Sequence, residues 1–169
     1  GAAPAGSSTY EEQRAQLDAR VGVALAMGGE AKLAQRRASG HLNARERIDQ
    51  LLDAGSFREA GQLAVSVVPA DRDSSPADAK ITGTGRIEGR RVAVVSNDMT
   101  VKGASSSAVN MRKIAHLKAA ATRNGMPLIF LGAGFPRGIS SDPVTPYDLA
   151  PTLGAAVGIQ LPQATGKSL

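Results

Sequence analysis

Side chains able to do chemistry are sparse in this 169-residue chain, and the better candidates are backbone groups. There is no cysteine, and the histidines are only two, His41 and His116. Disulfides, thiolate catalysis and a zinc site of the usual composition are therefore excluded. His41 reads as a surface or capping histidine. His116 borders an apolar helix stripe and reads as a partly buried, hydrogen-bonded residue. The segment 69–78, PADRDSSPAD, carries three aspartates, but their spacing matches no calcium loop and it reads as solvated. No metal site is expected. Two stretches of small residues, Lys102-Gly103-Ala104-Ser105 and Gly132-Ala133-Gly134, read as loops, one ahead of a helix and one after an apolar strand. Glycines at strand ends most often turn the chain, and a missing side chain also lets backbone N–H groups approach a ligand closely.

Those loops need elements to hold them, and residues 80–134 supply a pattern. Ile81, Thr82, Thr84 and Ile87, separated by Gly83 and Gly85, read as one strand. A turn at Glu88-Gly89-Arg90, with Gly89 at positive φ, leads to a second strand through Arg91-Val92-Ala93-Val94-Val95-Ser96. Any of Ser105 to Ser107 can cap the helix that follows, and its N-terminus there favours an anion. Met111, Ile114, Leu117 (or the stem of Lys118) and Ala121 form its apolar stripe, with Asn110, Arg112, Lys113 and Arg123 on the far face. Asn124-Gly125 and Pro127 end it. Met126 to Leu131 is continuous and apolar, as in a strand covered on both faces. The unit is ββαβ.

Upstream, residues 1–9 read as a disordered lead and residues 10–79 as a helical region ending in a loop. Ser8 or Thr9 can cap a first helix whose stripe is Leu17, Val21, Ala24 and Leu25, interrupted at Gly28-Gly29. Glu30 to Ser39 reads as a second helix ending at Gly40. Lys32, Arg36 or Arg37 of that helix suit a lid or a phosphate contact, although the plain reading is an exposed face. Asn43 and Glu46 form a capping box for a third helix with Ile48, Leu51 and Leu52 inward. Ala64-Val65-Ser66-Val67-Val68 reads as an edge strand.

The whole-chain figures set bounds. An apolar share of 42% suffices for a core, but with aromatics at 3% that core must be Val, Ile, Leu and Ala. The net charge of +5 is spread thinly, which suits a solvated basic surface more than a nucleic-acid interface. No stretch approaches the roughly 18 apolar residues of a membrane span, and the first residues lack a secretion-signal pattern, so a cytoplasmic location is expected.

From about Gly28 to Leu131 the chain resembles the N-terminal half of carboxyltransferase subunits of biotin-dependent acyl-CoA carboxylases, which have a crotonase-like fold. The matching phrases are LNARERIDQLLDAGSF, TGTGRIEGRRVAVVSNDMTVKGAS and RKIAHLKAAATRNGMPLIFLG. Members of that family continue with a Ser-Gly-Gly-Ala-Arg type loop and several more ββα units. This chain has Gly132-Ala133-Gly134-Phe135-Pro136-Arg137-Gly138 instead, and Pro136 has no N–H to donate. Residues 126–169, with TPYDLAPTL, are similar to the C-terminal end of the alkaline phosphatase and sulfatase superfamily. The metal ligands and nucleophile of those enzymes lie upstream of that region, so the likeness implies packing and no hydrolysis.

Together the resemblances imply an α/β chimera: an incomplete crotonase-like ββα architecture with N-terminal helices, a core over residues 80–134 and a second-family tail over 135–169. The carboxyltransferase resemblance implies acyl-CoA contact through Lys102, Gly103, Ala104 and Ser105, and an oxyanion-facing turn from the amides of Gly132, Ala133 and Gly134. It implies biotin carried on a partner protein, and partner carboxylase subunits or further copies of the chain. Two other readings stand beside it, a non-catalytic assembly module with an open sheet edge and a phosphatase-family remnant.

Overall fold

The computed structural model describes residues 9–132. By its packing the chain divides into Gly1–Leu131 and Gly132–Leu169. In the first unit, helices α1 (Tyr10–Ala26), α2 (Glu30–Ala38) and α3 (Ala44–Leu51) precede strands β1 (Arg58–Glu59), β2 (Lys80–Ile87) and β3 (Arg90–Asn97). Helix α4 (Ala108–Arg123) and strand β4 (Leu128–Leu131) follow, giving an α/β unit. The sheet order is β1-β2-β3-β4, antiparallel from β1 to β3 and parallel between β3 and β4.

The local signals explain most of these elements. Thr9 caps α1 in a capping box with Glu12, Asn43 caps α3 with Glu46, and Ser107 caps α4 with Asn110 in the Glu/Gln role. Helix α2 ends in a Schellman motif, in which Gly40 at φ 72° lets its own N–H reach the Arg37 carbonyl and that of His41 reach Arg36. Glu88 and Gly89, at φ 48° and 78°, close the β2–β3 hairpin.

Strand parity then builds two cores. Val92 and Val94 of β3 join Ile81, Met27, Leu33, Ile48 and Leu52 on the face covered by α2 and α3. Ala93 and Val95 point the other way, to Leu117, Ala121 and Met126 under α4. The alternation Thr82-Gly83-Thr84-Gly85 follows the same rule. A Cβ at Gly83 would overlap the Arg58 backbone and the Phe57 ring, and one at Gly85 would overlap Leu52. Both glycines thus make room for large side chains on the α3 face.

Four expectations need correction. Residues 64–68 form no strand, because the Arg58–Glu59 segment already occupies the β2 edge opposite Thr84 and Gly83. Helix α1 buries Ala24 alone, while Leu17 and Leu25 are exposed. Strand β4 is not covered on both faces, since Phe130 is 58% exposed. On α4, Met111 is 50% exposed while Asn110 is fully buried, so the stripe is rotated from the one drawn by apolar spacing.

The junction of α1 and α2 rests on one close approach. The Gly28 N–H donates to Thr100 Oγ1 at 3.0 Å, and a Cβ on Gly28 would overlap the Thr100 backbone. Gly22, in the middle of α1, has nothing within 4 Å of that position. Gly28→Ala should therefore destabilise by about 1–3 kcal/mol in urea unfolding, whereas Gly22→Ala should stabilise by about 0.5–1 kcal/mol.

Candidate functional site

The carboxyl end of β3 is where polar chemistry gathers, and a left-handed turn holds it. Ala77, Asp78 and Ala79 have φ of 49°, 46° and 63°, a costly run for residues with a Cβ. Each carbonyl in and after that turn has a donor. Lys113 Nζ donates to Ala77 at 2.7 Å and to Lys80 at 2.6 Å, Asn110 Nδ2 to Asp78 at 3.0 Å, and the Asp98 N–H to Ala79 at 2.9 Å. The Asp78 carboxylate accepts from the Asn110 N–H at 2.9 Å and from the Ser107 hydroxyl, so it sits at the positive end of α4. The 69–78 segment is therefore only half solvated. It forms two 3₁₀ turns, Pro69–Ser74 and Pro76–Ala79, and the second is buried. Among the described residues no group of three or more metal-ligating side chains could hold an ion.

The loop after β3 leans on this turn. Lys80 Nζ donates to the Ala104 carbonyl at 2.9 Å and to Asn97 Oδ1 at 3.0 Å. Burial pushes the Lys80 ammonium below its ordinary value, with Asp78 pulling the other way. Lys102, Gly103 and Ala104 are again left-handed, at φ 48°, 60° and 56°. The N–H groups of Ala104 and Ser105 are spent on Val101 and Lys102 carbonyls. Those of Lys102 and Gly103 donate to no other described residue, which leaves two adjacent amides for an anion. The Lys102 side chain is not equally free, because its ammonium pairs with Asp71.

Beside the loop lies a cationic cleft of about 320 Å³, lined by Lys32, Gln35, Arg36, Ser39 and His41 of the α2 region and by Met99 and Thr100. Lys32 Nζ donates to the Thr100 carbonyl at 3.1 Å, and Thr100 Oγ1 donates to Asp98 Oδ1 at 2.5 Å. Arg36 is half buried, and its Nη2 is enclosed without a hydrogen-bond partner. The plain reading of α2 as an exposed face thus fails at Arg36. Arg37 instead pairs with Glu30 and Glu46 on the outside, at 3.0 and 3.4 Å. Neighbouring Arg47 is pushed below its ordinary value by burial first and then by the charge of Arg36.

Lys102 to Ser105 form one turn at the end of β3. Gly132, exposed, follows β4, whose last residue pairs with Ser96 of the parallel strand β3. Ala133 and Gly134, and the phosphatase-like segment 135–169, lie outside the described residues. His41 is exposed, with Nδ1 2.7 Å from the Ser39 carbonyl oxygen. His116 is exposed rather than partly buried, and no described residue hydrogen-bonds to it. It lines an apolar groove of about 440 Å³ between α4 and β2, on the sheet face opposite α2. Asp78, Asn110 and Lys113 were missed as site-forming residues. The only sequence signal was the Ser107-x-x-Asn110 spacing of a capping box.

Residues 35–137 match the Carboxyl transferase domain. The chain belongs to that family. It is 38% identical over 135 residues to the mitochondrial propionyl-CoA carboxylase beta chain of Mus musculus, covering 75% of this chain and 25% of that one. It is 37% identical over 141 residues to the biotin-dependent 3-methylcrotonyl-coenzyme A carboxylase beta1 subunit of Mycobacterium tuberculosis, covering 80% and 26%. Among solved structures, a transcarboxylase 12S hexamer with methylmalonyl-coenzyme A and methylmalonic acid bound superposes with a TM-score of 0.67 at 34% identity, covering 74% and 25%. The chain spans about a quarter of the length of these relatives. The crotonase-like carboxyltransferase expectation for the β-sheet unit is met, whereas these findings give the phosphatase likeness of the tail no support.

In this carboxyl transferase segment, the residue that most directly reports the turn is Lys113. Burial pushes its ammonium from about 10.5 down to about 8, with Glu59 and Asp78 opposing. Between those values the unfolded chain holds a proton that the folded chain has released, so stability rises with pH across that window. Urea unfolding at pH 7.5 and pH 10 should show this gain in the native chain and not in Lys113→Met. At pH 7.5 the variant should also lose about 1–3 kcal/mol, because two buried carbonyls lose their donor. An identical pH slope in both proteins would refute the assignment.

Proposed function

We propose that this chain is a carboxyltransferase-like module that binds an acyl-CoA thioester, related to the biotin-dependent carboxylation of such thioesters. The supporting observation is the pair of free amides at Lys102 and Gly103, at the end of a family-typical β3 and next to a cationic cleft. In the reaction class, negative charge grows on the thioester oxygen, and fixed N–H donors within reach of it would stabilise it more than bulk water does. The chain's part is to hold that oxygen at the 102–105 turn, with Ser107 and the start of α4 behind it. Gly132, Ala133 and Gly134 are proposed as the second, oxyanion-facing turn; Pro136 has no N–H and cannot donate at its own position.

Where the family pattern has paired glycine donors, this sequence continues into Phe135-Pro136, which does not fit the ureido oxygen of biotin as that pattern would. No transfer step is therefore assigned to the chain alone. By the family resemblance, biotin would be carried on a partner protein. Among the described residues no helix is long and apolar enough to cross a membrane.

A second reading, a non-catalytic assembly module, is favoured by β4. Among the described residues that strand pairs on one side only and exposes Phe130, so its edge can template a further strand.

Isothermal titration of the full chain with propionyl-CoA tests the first reading. Saturable heat, lost when Gly103→Pro removes an amide, is expected, and no heat at millimolar ligand would reject it. Sedimentation tests the second. Concentration-dependent association that Phe130→Lys abolishes supports it, and a clean monomer at all concentrations counts against it.

A further inference from the structure

Helix α4 ends on Asn124-Gly125, the one Asn-Gly pair in the sequence, and its end is a Schellman motif with Gly125 at φ 60°. The Gly125 N–H donates to the Thr122 carbonyl, and the Met126 N–H donates to the Ala121 carbonyl at 2.9 Å. Asn124 Nδ2 donates back to the Ala120 carbonyl at 2.7 Å. Asn124 and Gly125 are exposed, whereas Met126 is buried in the core that holds Leu117 and Ala121. Two features of this cap bear on chemistry. The residue after Asn124 has no Cβ, and nothing lies within 4 Å of where one would stand, so its backbone nitrogen is unshielded. The bond that occupies that nitrogen, at 3.3 Å, is longer than the usual N–H···O range.

We propose that Asn124-Gly125 is a self-modification site, at which the chain converts itself to isoaspartate when this cap opens, and that the product no longer docks β4 in its native place. The inference is independent of the acyl-CoA reading. The reaction consumes only water. The Gly125 amide gives its proton to solvent base, its nitrogen attacks Asn124 Cγ, and the Cγ–Nδ2 bond breaks with loss of ammonia, leaving a cyclic imide. Water then opens the ring at Cγ to give aspartate, or at the backbone carbonyl carbon to give isoaspartate, in which the main chain runs through Cβ. The closed cap resists the first step twice. At ψ 6° the Gly125 nitrogen nearly eclipses the Asn124 nitrogen and must swing round to the side chain before the ring can close. The side-chain amide is meanwhile held on Ala120. Opening of the last turn is therefore the gate, and a helix end opens at a far lower free energy than the whole fold. Reclosure is then spoiled. The extra main-chain atom keeps the Thr122 and Ala121 bonds from forming together, and a carboxylate sits at the negative end of α4. Strand β4 starts from this cap: Met126 anchors in the core, and the Pro127 carbonyl accepts from the Ala93 N–H at 2.8 Å, just before Leu128 pairs with Ala93.

Incubation of the full chain at pH 8 in native buffer, in urea below its unfolding transition and in urea above it, followed by peptide mapping for isoaspartate at residue 124, tests the gate. The unfolded chain should convert fastest and the native chain more slowly by about tenfold or more, with low urea raising the native rate while the global fold persists. Asn124→Gln, whose longer side chain closes the ring poorly, should stay unmodified. The isoaspartyl form, separated by ion exchange, should have lost hydrogen-exchange protection at Met126 and Ala93 and should unfold at lower urea than the native chain. Asn124→Asp, which adds the charge but no main-chain atom, should lose less. If residue 124 stays intact in native buffer and in low urea while the unfolded chain converts, the folded protein does not use the site and the proposal falls. A native rate that ignores low urea would show that the cap is not the gate. An isoaspartyl form with native protection and an unchanged urea midpoint would refute the effect on β4.

Discussion

A backbone conformation that this sequence would not choose by itself organises the described unit. Three consecutive residues with side chains, Ala77, Asp78 and Ala79, sit in the left-handed region, at about 1–2 kcal/mol each. They stay there because their carbonyls, and that of Lys80, accept from Lys113, Asn110 and Asp98, two of them on a helix more than 30 residues away. The same turn turns the Asp78 carboxylate toward the start of α4 and directs Lys80 toward Ala104. Hairpin, helix and the 102–105 loop are thereby tied to one turn, in which removing a donor leaves a buried carbonyl unsatisfied instead of merely deleting a contact.

That arrangement explains what the sequence discloses and what it hides. The β2–β3 hairpin, the capped start of α4 and the stop of α2 at Gly40 depend on neighbours a few residues apart, so spacing reveals them. Asn110 and Lys113 are different. Counting apolar residues places them on the outer face, yet Asn110 is fully buried and Lys113 half buried, because their partners lie in the 77–80 turn. Polar side chains belong inside when distant carbonyls need them, and no periodicity records that need. Residues 64–68 fail for the opposite reason. They have strand-forming side chains, but the β2 edge is already taken by Arg58 and Glu59, of which Glu59 is anchored to Arg45 at 2.8 Å.

The candidate site was legible to a similar extent. Gly103 and its neighbours announce a turn, and the turn is present, but only the structure distinguishes the spent amides of Ala104 and Ser105 from the free ones of Lys102 and Gly103. Lys102 looked like the ligand-facing charge and is paired with Asp71. Arg36 looked like an ordinary surface residue on a polar helix, and it carries the enclosed donor without an acceptor.

Stability and function also diverge along α2. Its one buried apolar anchor is Leu33, so its position over the sheet is set largely by the Gly28–Thr100 contact and by Lys32 reaching the Thr100 carbonyl. A helix held only to bury surface would place an apolar or a paired residue where Arg36 stands, since an unmatched guanidinium makes the fold less stable.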